Sequence, residues 1–102
     1  MPRPKRCRRV CCRPGMTYFK PAGIRLIDLE ETVLAVDEFE AVRLKDLEGW
    51  EQEAAAQRMA VSQPTFHRIL ASARAKIADA LVNGKAIRID GGVYRLNRKE
   101  NT

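Results

Sequence analysis

"AAQRMAVSQPTFHRIL", residues 55–70, changes character at its midpoint, and the reading of that change decides the fold. The alanines around Arg58 suit a short helix that a neighbour can approach closely. Ala60-Val61 interrupts it, and Ser62-Gln63-Pro64-Thr65 opens a new helix. Ser62 is a favourable N-cap, and Pro64 is tolerated because first-turn amides lack intrahelical partners. Downstream, Phe66, Ile69, Leu70, Ala73, Ile77, Ala80 and Leu81 recur at helical spacing as one apolar stripe. Asn83-Gly84 stops that helix. Upstream, Gln52 to Met59 reads as a second, shorter helix. Two helices joined by a break of this kind predict a helix-turn-helix. Ala55 and Ala56 allow a close crossing, Met59 and Val61 fill the wedge, and Phe66 with Ile69 anchors the longer helix from beneath. Glycine is the usual occupant where Ala60 stands; a left-handed Ala60 costs about 1–2 kcal/mol.

The flanking sequence frames this unit. Asp37-Glu38-Phe39-Glu40 predicts a helix over 38–48, with Asp37 as cap, Glu40 in the capping-box position, Val36 as a staple and Gly49 as the stop. Residues 26–36 are ambiguous, with a β-prone Thr32-Val33-Leu34. Residues 85–96, KAIRID-GG-VYRL, predict a β-hairpin in which Ile89 faces Tyr94, Ile87 faces Leu96 and Arg88 faces Arg95. That arginine pair would form a phosphate-touching wing or protect a sheet edge. Prolines 2, 4, 14 and 21 with Gly15 and Gly23 keep residues 1–25 from forming a long helix. The expected organisation is therefore mostly α: a basic cysteine-containing arm (1–25), a helix-turn-helix domain (26–84), and a C-terminal hairpin and tail (85–102).

Charge is segregated along the 102 residues. Residues 1–25 carry eight Lys or Arg and no acid, residues 28–53 carry ten acids against Arg43 and Lys45, and residues 54–102 carry nine bases against three acids. Two basic regions around an acidic belt predict an oriented polyanion-binding surface. The candidate DNA-contacting residues are Gln63, Pro64, Thr65, His67 and Arg68 at the start of the long helix, with Ser62 and Gln52 suited to phosphate contacts. In the arm, Arg3, Lys5, Arg6, Arg8 and Arg9 would neutralise backbone or enter the minor groove. Gln63 can pair with adenine and Arg68 with guanine. The predicted partner is double-stranded DNA, with a homodimer as an open arrangement. No nucleophile–base pair, paired carboxylates or phosphate-cradling glycine loop points to an enzyme. The absence of an apolar leader or long apolar run predicts a cytoplasmic protein without a membrane span. Cys7, Cys11 and Cys12 stand among arginines that favour thiolate, and they leave open zinc, an iron–sulfur cluster or a redox role, one ligand short of a four-coordinate site. A further alternative is an adaptor that docks on RNA polymerase through acidic residues 37–53.

PRPKRCRRV, FKPAGI, VDEFEAVRLKDLEG, the helix-turn-helix and ADALVNGKAIRIDGG together resemble the small prokaryotic proteins grouped as domain of unknown function 134. The resemblance spans residues 2 to about 94. It implies a DNA-binding helix-turn-helix similar to region 4 of bacterial sigma factors. Some relatives lie near domains similar to those that bind iron–molybdenum cofactors, which lends weight to metal sensing. Ala60 and Trp50 depart from the glycine and smaller aliphatic that relatives tend to carry.

Overall fold

The computed structural model describes residues 8–96. Helix α2 (Gln52–Arg58) and helix α3 (Gln63–Asn83) flank the break at Met59–Ser62. Val61 N–H donates to the Ala56 carbonyl and Ala60 N–H to the Gln57 carbonyl, each at 3.0 Å. This reciprocal pair ends a helix on a left-handed residue. That residue is Ala60, at φ 59°. The Ser62 hydroxyl accepts from Thr65 N–H at 3.2 Å and caps α3.

Helix α1 runs over Val36–Val42 and begins two residues before the expected start. Its cap is not Asp37 but the Glu38 carboxylate, which reaches back to accept from Ala35 N–H at 2.8 Å. Val36, expected to precede the helix, is its first residue and is buried. Glu40 caps nothing. It is 1% exposed, and Arg43 donates to both of its oxygens at 2.8 Å. Beyond Val42 the helix widens into a π-turn, Arg43–Leu47, closed by Glu48 N–H on the Arg43 carbonyl.

Two apolar clusters share α3. Phe66, Ile69 and Leu70 pack with Ala41, Leu44, Ala55, Ala56 and Met59, while Ala73 packs with Val10, Leu34, Val36 and Ile89. Trp50 leans on the first cluster. The stripe ends one residue early. Ala80 takes the inward position, and Leu81, 81% exposed, lies on the rim of an open apolar cleft with Phe19, Pro21, Ile77 and Ile87.

The expected hairpin does not form. Strand β4 (Ala86–Ile89) lies between β2 (Tyr18–Phe19), antiparallel, and β3 (Glu31–Leu34), parallel. Strand β5 (Tyr94–Leu96) pairs instead with β1 (Arg8–Val10), in parallel. The chain between β4 and β5 is held by tertiary partners: Asp90 N–H donates to the Leu34 carbonyl, and the Gly91 carbonyl accepts from Val36 N–H, both at 3.0 Å. Gly91 and Gly92 thus cross the start of α1 rather than turn one strand onto the other. From Arg8 onward, the segment expected as an arm is woven into this arrangement, with Val10 fully buried.

Two substitutions test these backbone constraints. Ala60→Gly removes a left-handed side chain and is expected to stabilise by about 1 kcal/mol after glycine's extra unfolded-state entropy, seen as a melting temperature a few degrees higher by circular dichroism. Gly92→Ala should do the reverse, because a Cβ there meets Asp37 Oδ1 at 2.8 Å and Ala35 Cβ at 2.9 Å with φ at 97°. An unchanged melting temperature in either variant would contradict the backbone geometry.

Candidate nucleic-acid interface

The first two turns of α3 present a polar face opposite their buried one. Ser62, Gln63, Pro64, His67 and Arg68 are exposed and Thr65 is half-buried, while Phe66, Ile69 and Leu70 hold the underside in the core. Local hydrogen bonds organise this face. Ser62 Oγ lies 3.0 Å from Thr65 Oγ1, and the Arg68 guanidinium donates to Thr65 Oγ1 at 3.2 Å. Gln52, at the start of α2, donates from its amide to the Gln63 carbonyl at 3.5 Å, a long bond that places it beside the break.

The structure divides the arm residues. Arg8 comes to the same face: it lines an open cleft of about 380 Å³ with Thr65, Arg68, Ser72, Asp37 and Glu38. Its Nε lies 3.8 Å from Asp37 Oδ2, so its charge is turned inward. Burial pushes the Asp37 carboxyl up, against the opposing pull of Arg8. Arg9 lines a separate shallow cleft with Trp50, Ala54, Gln57 and Arg58. Arg3, Lys5, Arg6 and Cys7 lie outside the described residues. Cys11 and Cys12 are adjacent, and His67 stands on the exposed face of α3. The arginine wing falls with the hairpin. Arg88 forks onto Glu31 at 3.0 and 2.9 Å and rests on the Tyr18 ring, while Arg95 stands in the other sheet, opposite Arg9.

Sequence reasoning missed how the remaining charges are consumed. Along α3, Arg74 pairs with Asp46 and Lys76 with Glu38, and beyond its end Lys85 pairs with Asp79. Among the described residues, Arg68 pairs with no carboxylate, a state it shares with Arg58 at the end of α2 and with Arg9 and Arg95 on the strands. Much of the acidic belt is likewise spent internally: Glu40 and Glu48 on Arg43, Glu38 on Lys76, Asp46 on Arg74. The one local signal among these pairs was Glu40 and Arg43, three residues apart along a helical segment, whereas Arg74–Asp46 and Lys76–Glu38 join separate elements.

Glu38 joins the cleft to the helix packing. It accepts from Ala35 N–H, the Ser72 hydroxyl and Lys76 Nζ. Burial pushes its carboxyl up, but these three bonds outweigh burial and hold it below the usual glutamate range. A carboxyl lowered by folding contributes stability at pH above the unfolded value of about 4.3 and loses it as pH falls. Glu38→Gln should therefore lower the melting temperature at pH 7 by more than at pH 3, as followed by thermal melts across that range. An equal loss at both values would mean that the carboxylate charge contributes nothing.

A family model described as "Protein of unknown function DUF134" matches residues 1–97. A UPF0251 protein of Moorella thermoacetica is 69% identical over 94% of this chain, which spans 64% of that protein's length. A UPF0251 protein of Pelotomaculum thermopropionicum is 62% identical over 94% of this chain and 73% of its own. For the UPF0251 protein of Caldanaerobacter subterraneus the identity is 64%, over 94% of this chain and 81% of its own. No solved structure matches.

Proposed function

We propose that this chain, which belongs to the DUF134 family, is a sequence-specific DNA-binding transcriptional regulator whose α2–α3 unit acts as a helix-turn-helix of the sigma region 4 type. The observation that carries this reading is Arg68: an exposed cation on the second turn of a firmly anchored helix, left without a carboxylate partner among the described residues while its neighbours along α3 are paired. A guanidinium so presented is suited to guanine O6 and N7 in the major groove. Gln63, at the tip of the same helix, is suited to adenine, and Pro64 and His67 flank it. Ser62, Thr65 and Gln52 are placed to meet the phosphates that border the groove.

In this mechanism the tight turn sets the angle at which α3 enters DNA, and α2 lies across its backbone. Arg3, Lys5 and Arg6 add phosphate contacts ahead of β1. Arg8, engaged with Asp37, serves the fold first. The internal pairing of the acidic belt favours DNA over an acidic docking surface for polymerase, since few of those carboxylates are free to bind a partner.

Selection of duplexes from a random pool should yield a defined motif. Arg68→Ala should relax that motif at one base pair, with a discrimination loss of about 1–3 kcal/mol. Affinity should fall with salt by about 0.9 logarithmic units per tenfold change for each phosphate neutralised. A pool without enrichment, or an affinity indifferent to salt, would sink this function.

A further inference from the structure

Cys11 and Cys12 follow directly on β1, and their sulfurs lie 3.0 Å apart, one thiol donating to the other. Cys12 is exposed and Cys11 half-buried. The backbone beneath them is pinned. Cys11 N–H donates to Glu40 Oε2 at 3.1 Å, an oxygen also held by Arg43, and Arg9 N–H donates to the Met59 carbonyl at 2.9 Å. The two sulfurs are therefore presented together on a fixed strand end, with one face open to solvent.

Geometry discriminates among the chemistries open to such a pair. A disulfide between neighbours fits poorly, because adjacent Cα atoms stand about 3.8 Å apart, below the roughly 4.4–6.8 Å that disulfides span. A linear two-coordinate soft ion holds its sulfurs on opposite sides, about 4.6 Å apart for bonds of about 2.3 Å, wider than this bite. Zinc or an iron–sulfur cluster calls for four ligands, of which Cys11 and Cys12 supply two. A trivalent pyramidal centre with its two sulfurs near a right angle needs a separation of about 3.3 Å for bonds of that length. The observed pair comes close to that value.

We propose that Cys11 and Cys12 form a dithiol site for a trivalent arsenical or a like pyramidal metalloid. Each sulfur forms one bond to arsenic, both S–H bonds break, and the oxide oxygen leaves with the two protons as water; arsenic stays trivalent and no oxidant is required. The hydrogen bond shared with Cys11, followed by burial, pushes the Cys12 thiol up. A thiol kept protonated is poorly suited to sensing peroxide, which reacts with thiolate.

The site does not depend on DNA binding, and its test reads the metalloid alone. Full-length reduced protein would be treated with equimolar phenylarsine oxide in excess monothiol and read by intact mass and thiol titration. One adduct is expected, with two of the three thiols consumed. Cys7→Ser should keep the adduct, and Cys11→Ser or Cys12→Ser should lose it to the monothiol, with circular dichroism confirming that each variant is folded. Absence of an adduct on the wild type, or its persistence in folded Cys12→Ser, would overturn the assignment.

Discussion

The close crossing of α2 on α3 is the constraint from which the rest follows. It requires alanine at 55 and 56, both buried where the helices meet, and it forces the chain to reverse within Met59–Ser62. Reversal in so few residues places Ala60 in the left-handed region, at a cost of about 1–2 kcal/mol. The offset comes from burial of Met59 and Phe66, each fully inaccessible, at about 1.5–3 kcal/mol for a side chain of that size. Strain at the turn is thus sustained by the core on either side of it.

The same turn is where the rest of the chain attaches. The Met59 carbonyl receives β1 through Arg9, β1 carries β5, and Cys11 at its end is tied to Glu40 in α1. A buried carboxylate such as Glu40 is tolerable only when paired and hydrogen-bonded, and Arg43 with the Cys11 amide supplies both. The proposed DNA-reading face and the dithiol are therefore neighbours in the network of contacts. They make different use of it: the first needs a rigid helix, the second a rigid strand end.

Much of the helical framework was legible in the sequence because its signals are local. Ser62 caps α3 through its own third-following amide, and the alanine pattern of α2 needs no distant partner to be read. The start of α1 was misplaced because three acidic residues, Asp37, Glu38 and Glu40, competed for the capping role. Glu38 won it through the Ala35 amide, and Glu40 was drawn into the core by Arg43. At the candidate interface, the exposed residues of α3 could be read from periodicity. That Arg8 turns toward Asp37 could not, since the two come together only when β1 lies beside α1.

By itself the sequence determined the break at Ala60, the length of α3 and the side of it that stays polar, because helix periodicity and capping act within a few residues. Tertiary structure alone decided the strand pairing. Gly91 and Gly92 adopt the positive φ values that a hairpin turn also accepts, 75° and 97°. Their local conformation left the outcome open. The Val36 amide at the start of α1 and the Leu34 carbonyl at the end of β3 were the partners available to that loop, and backbone groups there must be satisfied. β4 therefore joined β3, β5 joined β1, and a segment that reads as a hairpin became the link between two sheets.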